Sequence, residues 1–105
     1  GGSGGDLLIG DANANALTGN GGDDNLFGGS GGDTLSGGSG NDLVYGGQGH
    51  DSLLETGGSN YLRGDEGDDW IQGGSGFDDM NGNMGNDTVI AGAGDSWVVG
   101  GRDND

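Results

Sequence analysis

Aspartates recur on a count of nine along this 105-residue chain: Asp6, Asp24, Asp33, Asp42, Asp51, Asp69, Asp78, Asp87 and Asp105. Asn15, Asn60 and Ser96 fill the three remaining places, so every one carries an oxygen-bearing side chain. Carboxylates at a fixed interval suit acid–base catalysis or the binding of hard cations. Catalysis lacks its partners, because His50 is the only histidine and the chain has neither cysteine nor lysine. No serine or threonine has a base to activate it, and the glycine runs lack the Gly-Lys-Ser/Thr of a phosphate loop. The residues therefore describe no enzyme. Zinc and copper would call for Cys and His clusters, and magnesium for a stricter octahedron. Calcium accepts six to eight oxygens at roughly 2.3–2.6 Å with forgiving geometry. The nine aspartates are the expected calcium ligands.

The interval belongs to a repeat. Cut in nines from Gly1, the chain gives eleven full units and a six-residue stub, without insertion or deletion; GGSGGDTLSGGSGNDLVYGGQGHDSLL, Gly28 to Leu54, holds three of them. The eighth place is Leu8, Leu17, Leu26, Leu35, Val44, Leu53, Leu62, Ile71, Met80, Val89 and Val98, apolar throughout, and reads as the core. The fourth place is Gly in ten of twelve units. Each unit then reads as a tight six-residue loop followed by a three-residue strand. Strands so short are viable only when stacked in parallel ladders about 4.8 Å apart. Nine residues turn the chain half-way round, so two units make one coil, nearly six coils form, and the stack is on the order of 30 Å long. The expected fold is all-β, a parallel solenoid covering residues 1–105 as a single domain.

With two units per coil, vertical neighbours lie eighteen residues apart. One file of sixth places is Asp6, Asp24, Asp42, Asn60, Asp78 and Ser96; the other is Asn15, Asp33, Asp51, Asp69, Asp87 and Asp105. The formal charge of −16 comes from 18 acidic residues against Arg63 and Arg102. Stacked carboxylates repel unless countered, so the fold needs cations. One ion between each vertical pair gives at most about ten sites. Those near Asn60, Ser96 and the Glu55-Thr56 pair are expected to be weak or empty. Asp11, Asp23, Asp65, Glu66, Asp68 and Asp95 read as solvated, and His50 as an exposed loop residue. The charge rules out a basic surface for nucleic acid, and no stretch reads as a signal peptide, an amphipathic helix or a membrane span.

The seventh and ninth places should face outward. On odd units they include Leu7, Ile9, Phe27, Leu43, Tyr45, Tyr61, Trp97 and Val99, and on even units mostly small polar residues. Two readings of the odd-unit face stand side by side: aromatic and β-branched residues suit strands in general, or the face packs on another domain or chain. Thr18, Thr34, Ser36, Ser52 and Thr88 allow a different reading, a repetitive adhesive or ice-binding face, which Leu54, Trp70 and Gln72 interrupt.

The units resemble the nonapeptide G-G-x-G-x-D-x-U-x of the RTX (repeats-in-toxin) family, haemolysin-type, whose calcium-binding motif is well established. The resemblance covers every residue; units two, GDANANALT, and seven, ETGGSNYLR, depart from it. It implies a right-handed parallel β-roll with calcium between successive coils, and a chain disordered without calcium that folds on binding it. It also implies type I secretion, an extracellular or cell-surface location, and a segment of a larger protein. A secretion or stabilising module of a secreted hydrolase or toxin is a further reading of the same resemblance.

Overall fold

The computed structural model describes all 105 residues and contains eleven β-strands and no helix. The odd strands are β1 (Leu7–Ile9), β3 (Asn25–Ser30), β5 (Leu43–Gln48), β7 (Tyr61–Glu66), β9 (Asp79–Met84) and β11 (Trp97–Arg102). They form one sheet in that order. The even strands, β2 (Ala16–Gly21), β4 (Thr34–Ser39), β6 (Ser52–Leu54), β8 (Trp70–Gln72) and β10 (Thr88–Ile90), form the second. Every pairing is parallel, and partners lie eighteen residues apart, as in Leu26 with Val44 and Leu35 with Leu53. Consecutive units thus alternate between sheets, and the chain winds as a parallel β-solenoid.

The two sheets face each other in a slab 37 × 33 × 12 Å in extent. Its thinness follows from the sequence, because one apolar side chain per unit is all that enters from each side. Leu26, Leu35, Val44, Leu53, Leu62, Ile71 and Met80 are completely buried, with Leu8, Leu17, Val89 and Ala91 packed against them. Full burial of such a side chain stabilises the fold by about 1.5–3 kcal/mol. The eighth-place column is not buried throughout, however: Val98, on the outermost strand β11, is 43% exposed.

The strands depart from the expected length. Seven of the eleven have six residues, because the ladder continues through the first three places of the following unit, as where Gly29 pairs with Gly47 and Ser30 with Gln48. Those first places are buried. A Cβ added to Gly28 would stand 2.5 Å from Asp33 Oδ2 and closer still to the Gly46 carbonyl oxygen, so only glycine lets the coils approach there. The corner is turned at the fourth place, where Gly67 has φ +133°, backbone that side-chain-bearing residues rarely adopt.

Outside the odd sheet, Phe27 and Tyr45 stack with ring centroids 5.4 Å apart and planes 6° from parallel, and Tyr61 lies 6.0 Å beyond Tyr45. The Arg63 guanidinium sits 3.5 Å above the Tyr61 ring and pairs with Asp79 at 3.1 Å. The aromatic column thereby satisfies much of its own apolar surface. The largest exposures are at the outermost strands, on Leu7, Ile9 and Trp97.

Candidate metal centre

Two files of loops run along the edges of the slab, and the sixth-place residues line them. Asp24, Asp33, Asp42, Asp51, Asp69, Asp78 and Asp87 are all buried, whereas Asp6 is half-buried and Asp105 exposed on the end coils. Successive members are tied by a repeated bond in which a backbone N–H donates to Oδ1 one coil on. Asp24 donates to Asp42 (2.8 Å), Asp33 to Asp51 (2.7 Å), Asp51 to Asp69 (2.8 Å) and Asp69 to Asp87 (2.9 Å). Asp6 donates to Asp24, Asn15 to Asp33, and Asp87 to Asp105 in the same way. One carboxylate oxygen per aspartate is thus committed to the backbone.

The other oxygen separates the aspartates into two groups. Oδ2 of Asp24, Asp33, Asp42, Asp51, Asp69 and Asp87 is buried with no hydrogen-bond partner. Six such orphans in so short a chain are unusual, because a buried unpaired polar group costs about 1–3 kcal/mol, and more when charged. Oδ2 of Asp6 and Asp78 instead accepts the second-place N–H of its own loop, from Gly2 (2.5 Å) and Gly74 (3.1 Å). Asn15 is satisfied likewise by the Asp11 N–H (2.7 Å). These loops close on themselves.

The difference lies in the second-place backbone. In the loops with orphans it is left-handed: Asn20, Asp65 and Asn83 have φ of 82°, 81° and 76°, and Gly29, Gly38 and Gly47 lie between 106° and 111°. Asn and Asp tolerate that region better than other side-chain-bearing residues. Each of these loops follows a six-residue strand, while the self-closed loops at Asp11 and Gly74 follow the three-residue β1 and β8. Gly92 breaks the pattern, combining φ 80° with the short β10. Its file ends at Ser96, whose Oγ is also without a partner.

Each orphan faces a gap between coils. Asp33 Oδ2 lies against Gly28 with the Gly46 carbonyl oxygen beside it, and Asp51 Oδ2 against Gly46 with that of Gly64. Asp24, Asp69 and Asp87 repeat this with the carbonyls of Gly37, Gly82 and Gly100. No three His, Cys, Asp or Glu side chains converge anywhere, so an ion in these gaps would draw largely on backbone carbonyls. An unpartnered carboxylate oxygen beside a carbonyl is a hard-oxygen donor set, which fits calcium and not a thiophilic metal.

Burial also acts on the carboxyls themselves. It pushes Asp69 up to about 7 and raises Asp42, Asp51 and Asp87, with neighbouring carboxylates adding to the effect. At these four residues the fold strains against its own negative charge. Sequence reasoning missed a second set of bonds, at the fifth place. Asp23 accepts the Asn41 N–H and Asp68 the Asn86 N–H, both at 2.8 Å, so these two acids hold coils together and are not merely solvated. His50, exposed as expected, accepts the Asp68 N–H through Nδ1 at 3.1 Å. The signal for this set was the run of Asp, Asn and His at that place.

The comparison with known families agrees with the geometry. The family model of the RTX calcium-binding nonapeptide repeat matches four stretches, residues 1–35, 18–53, 56–89 and 81–105. No curated protein gives a significant match. With the nine-residue register, the stacked loops and the family match all coinciding over nearly every residue, the chain belongs to the RTX calcium-binding nonapeptide repeat family.

Proposed function

We propose that this chain is a structural module that folds when calcium enters the gaps between its coils. The observation that carries the reading is the set of buried, unpartnered Oδ2 atoms, each in a loop whose second residue is left-handed. Five gaps share one composition, those of Asp24, Asp33, Asp51, Asp69 and Asp87, each with the carbonyl of a first-place glycine from the next coil. Calcium bound there would supply the positive charge that these oxygens lack. The chain's own residues do the rest: Oδ1 fixes each carboxylate to the N–H of the preceding coil, and the first-place glycines admit the approach. Asp6 and Asp78, whose second oxygens are satisfied within their own loops, take no part in this reading, and Asp105 closes its file.

Calcium binding to such gaps is inseparable from stacking, so its free energy is folding free energy. The seven fully buried apolar side chains are few against the backbone entropy of 105 residues. Extracellular calcium modules bind at about 0.1–1 mM, a range that keeps such a chain unfolded inside a cell and folded outside. We place the module accordingly in a secreted protein, as one β-roll over residues 1–105 serving a larger chain. The repeat fold is that of a structural module and not of a catalytic one.

Small-angle scattering with and without calcium tests the proposal. The folded chain has a radius of gyration of 12.1 Å. A disordered chain of this length has one of about 30 Å. Collapse to the smaller value on adding calcium, and not magnesium, is expected. A compact chain in chelator at neutral pH would overturn the reading.

A further inference from the structure

One gap differs from the other five. It lies between loop 37–42 and loop 55–60, and its lower loop supplies the usual orphan, Oδ2 of Asp42, a residue 3% exposed. Its upper loop carries Asn60 at the sixth place and Glu55 where the other gaps have glycine. Glu55 is 2% exposed and turns back into the gap. Its Oε1 accepts the Gly37 N–H at 2.9 Å, and its Oε2 accepts the Gly38 N–H at 3.0 Å. Gly37 is also the residue against which Asp42 packs, since a Cβ added there would stand 2.7 Å from the Asp42 Cβ and closer to Oδ2.

Two buried carboxylates therefore face the same glycine, and no basic side chain accompanies them. Arg63 is engaged by Tyr61 and Asp79, and Arg102 is exposed on the last strand. The amide hydrogens of Gly37 and Gly38 orient Glu55 but are dipoles, whereas Asp42 Oδ2 has no partner at all. Two unit charges in so poorly solvated a space repel strongly, and one divalent cation matches them. We propose that Asp42 and Glu55 form a divalent-cation site of their own composition, in which unit seven gives its carboxylate from the first place and not the sixth.

Asn60 completes the exchange. With no Oδ2 it leaves no second unpaired charge beside Glu55, and its Nδ2 donates to Asp78 Oδ1 at 2.9 Å. Asp78, with its other oxygen on the Gly74 N–H, offers nothing free to the gap above. The site is thus the last in its file. This inference rests on the calcium reading of the regular gaps.

Native mass spectrometry of the full chain in calcium reads the ion count directly. Glu55→Gln and Asp42→Asn should each bind one ion fewer than wild type, and the double variant also one fewer, since both remove the same ion. Glu55→Gly with Asn60→Asp, which rebuilds the regular composition, should return the wild-type count. An unchanged count in either single variant, or two ions lost in the double, would overturn the site and leave Glu55 as a plug that closes the gap through the two N–H groups. Should Glu55→Gln fail to fold, Glu55→Gly replaces it, with one ion fewer expected and an unchanged or higher count overturning the site. A wild-type chain that binds no calcium would sink the underlying reading instead, which the same spectra distinguish.

Discussion

The backbone N–H of Asp33 donates to Oδ1 of Asp51 at 2.7 Å and leaves Oδ2 of Asp51 buried without a partner. One residue thereby ties two coils with one oxygen and presents the other to the gap above. The same division recurs along both files.

Asp51→Asn keeps the tie and removes the charge. It should lower calcium affinity at that gap on the order of tenfold, because ligand charge sets affinity in such sites. Asp78→Asn, at a residue whose Oδ2 already accepts the Gly74 N–H, should change affinity by less than about twofold. Calorimetric titration of both variants checks this, and equal effects would contradict it.

A left-handed second residue accompanies every unpartnered Oδ2. Asn83 has φ 76° and belongs to the loop of Asp87. Asn83→Val puts a β-branched residue in the left-handed region, at a cost of roughly 1–2 kcal/mol. It should lower the calcium-loaded melting temperature, whereas Thr88→Val on the exposed strand face should leave it nearly unchanged.

Core truncation should separate the middle from the end. Leu53→Ala, at a completely buried position, should destabilise the calcium-loaded fold by about 2–5 kcal/mol. Val98→Ala, at a side chain 43% exposed, should cost well under about 1 kcal/mol. Chemical denaturation in saturating calcium measures both.

Acid should partly stand in for calcium. Burial holds Asp69 and Glu55 at about 7 and raises Asp42, Asp51 and Asp87, so the folded chain binds protons that the unfolded chain releases. A raised folded value means stability present below the ordinary carboxylate range, about 4, and lost as pH climbs toward about 7. In chelator, β-structure by circular dichroism should therefore be greater near pH 4 than above pH 7. Calcium affinity should move the other way, since protons compete for the same oxygens.

What was legible in the sequence was whatever a fixed register enforces. Leu26 above Val44 and Leu35 above Leu53 follow from nine residues per half-turn, because a slip of one would turn the apolar column outward. The alignment of the sixth-place files follows from the same arithmetic. The two loop states were not legible, because glycine permits both: Gly47 is left-handed and leaves Asp51 Oδ2 unpartnered, while Gly74 donates to its own aspartate. Thr56 carried one signal, since a β-branched residue resists the left-handed form, and Asn20, Asp65 and Asn83 carried another, although Asp11 in a self-closed loop shows that such residues permit both. Glu55 read as a defect in the Gly-Gly pair, because its value depends on Gly37 and Gly38 one coil away. The six-residue strands escaped for a related reason: their second halves are glycine-rich, and composition alone marks such stretches as loop.

The measurement that bears most directly on the account is far-UV circular dichroism of chelator-treated chain during a calcium titration, with magnesium as control. A cooperative change from disorder to β-structure at submillimolar to millimolar calcium, absent with magnesium, is the predicted result. Full β-structure in chelator at neutral pH, unchanged by calcium, would show that the apolar column suffices and would contradict the account.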